Sequence, residues 1–176
     1  MTYQIRPVNA DEWSQVKELR LAALADPAAP VAFLDTLEWA AERPDSHWQE
    51  RTKDASLGGS TRQFIAEDAE GRWAGTVVVL VERAGEDDFF GNPVHTPQAQ
   101  LVNVFVRPEH RGGGLTERLF RAGMEWAWSL EEPLVGRVRL FVHKNNPRAA
   151  GFYRKFGFIP TGHVIDSDHE MEIARA

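Results

Sequence analysis

Residues 101–116 read LVNVFVRPEHRGGGLT, and this stretch passes from a strand pattern through three glycines into a helix pattern. The predicted strand over 100–106 is apolar nearly throughout, as expected for a strand that is covered on both faces. The predicted helix over 114–130 carries one apolar stripe at helical spacing. A buried strand that leads directly into a helix is typical of a mixed α/β domain built around one sheet.

The three glycines of this stretch predict an anion site. Glycine has no Cβ, so backbone N–H groups can approach a ligand closely, and the first N–H groups of a helix are unpaired and partly positive. A phosphate or pyrophosphate fits such a site, and Arg111 can add a charged donor. Two common phosphate loops do not match, because Leu115-Thr116 stands where a Walker loop has Lys-Ser/Thr and Glu117 stands where a dinucleotide fingerprint has Gly or Ala.

A second stretch, VRLFVHKNNPRAAGFYRKFGF at residues 138–158, predicts a strand followed by a short helix. Asn146 before Pro147 is a typical helix start, and Gly157 is a typical stop. Asn146, Ala149/Ala150 and Tyr153 share one helix face. The small residues in that stripe leave room for a thin ligand to lie against the helix.

The two stretches together resemble the cofactor motifs of the GNAT superfamily of N-acyltransferases, which use acyl-coenzyme A. The pattern R-x-x-G-x is present as Arg111 to Leu115, and N-x-x-A-x-x-x-Y begins at Asn146. The family usually has Gly or Ala where this chain has Thr116, whose hydroxyl could donate to a phosphate oxygen. The resemblance implies helices on both faces of a central, mostly antiparallel sheet with a splayed strand pair.

The resemblance also implies which residues bind acetyl-coenzyme A. The pantetheine arm is expected at the backbone of Val104 to Val106, and the pyrophosphate at Arg111 to Thr116. The full set of expected cofactor-binding residues is Val104, Phe105, Val106, Arg111, Gly112, Gly113, Gly114, Leu115, Thr116, Asn146 and Tyr153.

Tyr153 is the residue that the resemblance assigns to catalysis. In the family the acceptor amine attacks the thioester directly, and a tyrosine returns a proton to the departing thiolate. The chain has only two tyrosines, and the other lies in the predicted opening strand. The alternative role for Tyr153 is an aromatic anchor for the last helix.

The residue that removes a proton from the amine stays open. Many family members carry a carboxylate on the strand before the glycine loop, but this strand offers only the amides Gln100 and Asn103. A water relay, Glu82, Asp166 or Asp168 are the options, although each carboxylate is more simply a solvated surface charge.

The acceptor side is expected around residues 31–39. Phe33 either lines an amine pocket or belongs to the core, while Trp48 is predicted to be core. Glu82 and Phe33 are the candidate acceptor-binding residues. A local basic region, which could be a nucleic-acid patch, more simply complements the phosphates of coenzyme A; it comprises Arg137, Arg139, Lys144, Arg148, Arg154 and Lys155.

Composition narrows the remaining function classes. The chain of 176 residues is 43% hydrophobic and carries a net charge of −6, which disfavours nucleic-acid binding and suits an amine-bearing substrate. The absence of cysteine excludes disulfides, thiolate metal sites and a cysteine nucleophile. No two of the six histidines have helical metal-site spacing, and no metal is expected. The longest apolar run, residues 77–81, is too short for a membrane span, so a cytoplasmic protein without membrane contact is expected.

The other elements follow from periodicity and from breaks at Gly and Pro. Further strands are predicted over 3–7, 63–67, 73–82, 135–142, 158–164 and 169–173, and further helices from Trp13 to about Asp26, over 34–42 and over 45–53. Loops are predicted at 27–30 and 85–97. No linker is visible, so residues 1–176 are interpreted as one domain.

These patterns lead to one main hypothesis and two alternatives. The main hypothesis is an N-acetyltransferase that moves an acetyl group from acetyl-CoA to a primary amine of a small molecule, and a homodimer is plausible by analogy. The alternatives are a non-catalytic module that binds or senses acyl-CoA, and an acetyltransferase for protein or peptide N-termini.

Overall fold

The computed structural model describes residues 2–176, which form seven strands and six α-helices. The strands are β1 (Gln4–Pro7), β2 (Thr61–Glu67), β3 (Trp73–Glu82), β4 (Gln98–Val106), β5 (Arg137–His143), β6 (Ile159–Ile165) and β7 (Asp168–Ala174). The helices are α1 (Trp13–Ala25), α2 (Ala29–Ala32), α3 (Leu37–Ala41), α4 (Asp45–Leu57), α5 (Leu115–Ser129) and α6 (Pro147–Phe156).

All seven strands join one sheet in the order β1-β2-β3-β4-β5-β7-β6. Every neighbouring pair is antiparallel except β4 and β5, which are parallel. A parallel pair needs a crossover connection, and α5 supplies it. The predicted mixed α/β fold with a mostly antiparallel sheet is confirmed.

Helices cover both faces of the sheet because strand side chains alternate between the faces. Phe64 and Ala66 of β2 belong to the core that the sheet shares with α5 and α6. Ile65 belongs to the second core, which includes Leu19 of α1 and Trp48 of α4. Trp48 is 1% exposed, so its prediction as a core residue is confirmed.

The predicted helix signals act where they were expected. The side chain of Asn146 accepts a hydrogen bond from the backbone N–H of Ala149 at 3.3 Å, and Pro147 opens α6. Gly157 ends α6 with a φ of 129°. Asp26 ends α1 in an extended conformation, directly before Pro27.

Two predictions in the segment after α1 are wrong. The predicted loop at 27–30 contains the start of α2, and the predicted helix over 34–42 is reduced to α3. Phe33 ends α2 in an extended conformation. Thr36 is extended because it is the N-cap of α3, and it accepts a hydrogen bond from Trp39 N–H at 3.2 Å. An N-cap residue is non-helical by nature, so the helix cannot begin before it.

None of the helices within residues 2–176 has both the length and the apolar composition needed to cross a bilayer; the longest, α5, has 15 residues.

Strands β3 and β4 approach most closely at Gly75. A Cβ at this position would lie 2.8 Å from the carbonyl oxygen of Phe105 and 3.0 Å from Cγ2 of Val106. Real Cβ atoms do not come so close to backbone oxygens, so any side chain here must displace the end of β4. The lack of a side chain at Gly75 therefore allows residues 105–106 to lie where they do.

We expect Gly75→Ala to destabilise the protein by about 1–3 kcal/mol, the usual cost of overpacking. Urea unfolding measures this change. Gly59→Ala is the matched control, since a Cβ at Gly59 meets nothing within 4 Å, and it should change the free energy of unfolding by less than about 0.5 kcal/mol. Equal stabilities of the two variants would contradict the close approach.

Candidate functional site: a cleft between two splayed strands

The pairing of β4 with β5 covers only two residue pairs, Ala99 with Val138 and Gln100 with Arg139. Strand β4 continues to Val106 and β5 to His143, but the two diverge beyond these pairs. The backbone edge of β4 that faces the gap therefore has no strand partner within residues 2–176. The predicted splay is confirmed.

A bulge in β4 accompanies the splay. Thr76 of β3 pairs with Phe105 and Val78 pairs with Val102, so β4 holds one extra residue between these pairs. Asn103 lies in the bulge with a φ of 54°. A bulge bends its strand and leaves a residue unpaired, which turns the end of β4 away from β5.

The gap opens into a cleft of ≈ 1030 Å³. Most of the residues predicted for the site line this cleft, namely Val104, Phe105, Val106, Arg111, Gly112, Gly114, Leu115, Thr116, Asn146, Tyr153 and Phe33. Gly113 and Glu82 are not on its wall. The cleft is large enough for an extended ligand and a second, smaller one.

The glycine loop has the geometry of an anion cradle. Gly112 and Gly114 have φ values of 88° and 81°, which L side chains rarely adopt, and Gly114 is the N-cap of α5. A Cβ at any of the three glycines would meet no protein atom within 4 Å, so the loop is open to a ligand. Thr116, in the first turn of α5, makes no side-chain hydrogen bond within residues 2–176 and lines the cleft.

Arg111 also anchors the loop. Its Nε donates to the carbonyl oxygen of Val106 at 2.9 Å, and its Nη2 forms an ion pair with Asp26 at 2.9 Å. Hydrogen bonds from the backbone of Ala28 and from Arg111 lower the pKa of the Asp26 carboxyl. The end of α1, the end of β4 and the glycine loop are thereby held together.

Tyr153 projects from α6 into the aromatic cluster beside the cleft. Its ring stacks on Phe120 with a centroid distance of 5.7 Å and an interplanar angle of 11°. Burial raises the pKa of its hydroxyl to about 12. The hydroxyl makes no hydrogen bond within the described residues, so it is available to a ligand as a protonated donor.

Glu82 is not the solvated surface charge that the sequence suggested. Its side chain is 5% exposed, and its Oε1 lies 3.0 Å from Nη2 of Arg139. Oε1 also accepts from Gln98, and Oε2 accepts from the backbone N–H of Phe89 at 2.8 Å. Both carboxylate oxygens of Glu82 therefore bind protein groups behind the cleft.

Arg139 is the centre of this buried charge cluster. It pairs with Glu82, with Asp88 at 3.0 Å and with Glu170 at 2.9 Å. Burial opposes ionisation of both Asp88 and Glu170, but hydrogen bonds outweigh it. The backbone N–H of Asn92 and then Arg139 lower the pKa of Asp88, and Arg139 and Thr161 lower the pKa of Glu170. Arg139 is also the last residue of β5 that pairs with β4, so the cluster lies where the splay begins.

The basic region predicted from the sequence is therefore not one surface. Arg137 and Arg139 are neutralised by Glu170 and its neighbours inside the sheet. Arg148 is exposed and lines the cleft. The cluster also fixes the loop after β3, which packs Phe90 on Phe141 of β5 with a centroid distance of 4.8 Å.

The other end of the cleft contains residues that sequence reasoning missed. Arg20 of α1, Arg51 of α4 and His47 of α4 all line the cleft. Arg20 stacks on Phe33 at 4.7 Å and forms an ion pair with Asp35 at 3.0 Å. Arg51 could have been identified from the sequence, because it lies three residues after Trp48 and therefore on the buried stripe of the same helix.

The amides of β4 face this end. Gln100 and Asn103 both line the cleft, and the Oε1 atom of Gln100 is buried without a partner. Asp168 also lines the cleft, at the start of β7, whereas Asp166 lies in the preceding turn with a φ of 53°. Within residues 2–176 no three His, Asp, Glu or Cys side chains are grouped for metal binding.

Residues 22–158 match the model of the acetyltransferase (GNAT) family. The chain belongs to the GNAT acetyltransferase family. It is accordingly an acyltransferase, and acetyl-CoA fits as its co-substrate. The open glycine cradle and the unpaired edge of β4 suit the diphosphate and the amide-bearing arm of that molecule.

Similar proteins include GNAT enzymes with different acceptors. A Bacillus subtilis (strain 168) protein that carries the provisional name [ribosomal protein bS18]-alanine N-acetyltransferase is 27% identical over 90% of this chain and 82% of its own length. The mycothiol acetyltransferase of Segniliparus rotundus is 36% identical over 59% of this chain, but the match spans only 32% of that enzyme.

The fold is also that of solved GNAT structures. The PaiA N-acetyltransferase of Thermoplasma acidophilum, solved in complex with coenzyme A, superposes with a TM-score of 0.73 at 17% identity. That match covers 99% of this chain and 100% of the other.

We expect Thr116→Val to weaken coenzyme A binding about tenfold. The substitution keeps the shape of the side chain but removes a hydroxyl at the cradle, and a hydrogen bond to a charged group contributes about 1.5–3 kcal/mol. Titration calorimetry with coenzyme A measures the change. Thr96→Val, in an exposed loop outside the cleft, is the control, and unchanged affinity in both variants would remove Thr116 from the cradle.

Proposed function

We propose that this protein acetylates a primary amine of a small molecule by direct attack on acetyl-CoA, with Tyr153 as the general acid. The observation that carries the proposal is one continuous cleft. One arm of the cleft ends at the anion cradle of the glycine loop, and the protonated, unpartnered phenol of Tyr153 lies on the cleft wall. A second arm is left free by the cofactor site.

The cofactor arm of the cleft is assigned to the glycine loop and the free edge of β4. The loop and the first turn of α5 would bind the diphosphate, with Arg111 and Thr116 as side-chain donors. Backbone groups of Val104 to Val106 would pair with the pantetheine arm. Asn146 contributes by opening α6, since its side chain is already engaged as the N-cap.

Tyr153 is suited to return the proton to the departing thiolate. Its pKa of about 12 keeps the phenol protonated at neutral pH, and its proton has no protein acceptor among residues 2–176. The O–H bond breaks as the sulfur gains the proton, and solvent can restore the phenol afterwards. Stacking on Phe120 holds the ring in place during this step.

The acceptor arm supports a small substrate. The segment from α2 to α3 and helix α4 line this arm, with Phe33, Trp39 and His47 among their contributions. Acetylation of a protein N-terminus is the second candidate, and the Bacillus subtilis relative favours it.

The first test of the proposal is calorimetric titration with acetyl-CoA, followed by release of free thiol in the presence of amines. Saturable binding and thiol release with small amines are expected. Binding without turnover on any amine or peptide would favour a module that only senses acyl-CoA. Turnover confined to peptides beginning with the bS18 N-terminus would favour the protein acetyltransferase.

We expect Tyr153→Phe to lower kcat by about 10²–10⁴-fold while the affinity for coenzyme A stays nearly unchanged. The reason is that only the proton donor is lost, since a phenylalanine can keep the stacking on Phe120. Steady-state kinetics and calorimetry separate the two effects. Tyr3→Phe is the matched control, because Tyr3 is the only other tyrosine and donates to or accepts from His110 at 2.8 Å. An unchanged kcat in Tyr153→Phe would remove this residue as the acid.

Tyr153 should also make the free energy of unfolding depend on pH in the alkaline range. Its pKa rises from 10.0 in the unfolded chain to about 12 in the fold. Its contribution to stability is therefore fully present below pH 10 and declines as the pH rises through about 12. Urea unfolding at pH 9 and at pH 11 should show a larger loss for the wild type than for Tyr153→Phe. Equal losses would contradict the burial of the phenol.

A further inference from the structure

The acceptor arm ends at a pair of arginines. Arg20 and Arg51 both line a small cavity of ≈ 20 Å³ that adjoins the main cleft, together with Asn103 and Phe105 of β4. That volume is enough for about one water molecule. The arginines therefore lie next to the bulge, where the thioester is expected, and not at the outer rim.

The positive charge of this pair is not fully balanced. Asp35 forms an ion pair with Arg20, but no carboxylate or other group within residues 2–176 forms an ion pair or hydrogen bond with the guanidinium of Arg51. The Arg20 side chain is 9% exposed, and its Nε is buried without a partner. Two guanidinium groups thus share one carboxylate, and one positive charge is left over.

Burial makes this arrangement costly for the free protein. Desolvation lowers the pKa of the Arg51 guanidinium, and the nearby charge of Arg20 lowers it further. His47 does not offset the charge, because burial and the charges of Arg51 and Arg43 lower its pKa and keep the imidazole neutral. The Arg51 side chain is partly buried, and a partly buried charge with no protein partner is unfavourable unless water or a ligand supplies one.

Asp35 is the one acidic residue of the cleft, within residues 2–176, that forms an ion pair with this arginine pair. Glu50, Asp54 and Glu117 are exposed at the rim, and Asp26 is already paired with Arg111. Neither Glu50 nor Asp54 contributes to the charge environment of Arg51. An entering molecule therefore meets negative charge first and positive charge at the bottom of the arm.

We propose that Arg20 and Arg51 bind a carboxylate of the acceptor, so that the substrate is a small amino acid whose acid group lies a few bonds from the reacting amine. This inference rests on the proposed function and names its substrate class. The planar guanidinium suits a carboxylate because it can donate two parallel hydrogen bonds. Because the arginine pair and the bulge residue Asn103 line the same small cavity, the site favours acceptors in which the amine and the acid are close together. A polyamine would place a cation against two arginines, and most peptide N-termini have no acid group near the amine.

The test uses the whole protein with acetyl-CoA and a matched set of acceptors. The probes are the twenty free L-amino acids, β-alanine, their carboxamides, spermidine and a peptide with a free N-terminus. Acetylation is expected for amino acids. The kcat/KM of each carboxamide should be lower than that of its amino acid by about 30-fold or more, since the carboxamide leaves the arginine charge unpaired. The amine of a carboxamide is less basic than that of the free amino acid, so a larger share of it is unprotonated and able to attack. This difference favours the carboxamide and acts against the expected result.

Arg51→Met is the decisive variant. It removes the unbalanced charge and leaves the pair of Arg20 and Asp35 intact, so the fold should be retained. We expect kcat/KM for the amino acid to fall about 30-fold or more, and the preference for acid over amide to disappear, with the KM for acetyl-CoA unchanged. Arg72→Met is the matched control, because the Arg72 side chain is 75% exposed, pairs with Asp68 and does not line the cleft. It should stay within about twofold of the wild type.

A binding measurement separates this inference from the proposed function. Thermal unfolding of the protein with coenzyme A is followed with each probe, in the wild type and in Arg51→Met. A rise in Tm with amino acids alone, lost in Arg51→Met, supports the carboxylate site even if no amine is acetylated. Acetylation without any preference for the acid overturns the inference and leaves the proposed function standing.

Four further outcomes overturn the inference. The first is a preference for spermidine or the peptide, and the second is an unchanged acid preference in Arg51→Met. The third is a wild type that prefers succinyl-CoA to acetyl-CoA and loses that preference in Arg51→Met, since the arginines would then bind a carboxylate of the acyl group. An absence of both acetylation and any shift in Tm with the amino acids also overturns it.

Discussion

Strand β4 pairs with its parallel neighbour β5 at two positions only, and the geometry of the cleft depends on where that pairing stops. The bulge at Asn103 turns the end of β4 away, while β5 stays paired along its whole length with β7. Unpaired backbone groups are unfavourable in a buried sheet but useful where an amide-bearing ligand can pair with them. The buried cluster around Arg139 holds the strands together directly below the opening, so the splay has a fixed starting point.

The two ends of the cleft are both positive, but the positive charge comes from different groups. The cradle at the glycine loop uses backbone donors and the start of α5, which keeps its positive potential close to the surface. The other end has the guanidinium groups of Arg20 and Arg51, which line a small cavity and for which Asp35, bound to Arg20, is the one ion-pair partner within residues 2–176. Tyr153 lies between these arms as a neutral donor, and its raised pKa follows from the same exclusion of water that strengthens the charges around it.

Much of the cofactor side could be predicted because its signals are local. Asn146, Pro147 and Gly157 define a helix by their own backbone preferences, and three glycines before a helix start make a loop without Cβ atoms whatever the surroundings. The acceptor side could not be predicted in this way. The predicted helix over 34–42 begins only after Thr36, which takes the N-cap position, and the partners of Glu82 include Gln98 and Arg139 on other strands.

The sequence by itself determined the seven strands, helices α1, α4, α5 and α6, the glycine loop, the small face of α6 and the family resemblance, because each depends on residues within a turn or two of one another. It did not determine α2 or the start of α3. The tertiary structure decided which charged side chains are paired, buried or exposed. Arg20 and Arg51 are 31 positions apart in the numbering and meet only because α1 and α4 pack on the same face of the sheet. Whether a charged side chain is solvated, paired or left with a spare charge depends on which groups the fold brings beside it, and no local pattern contains that information.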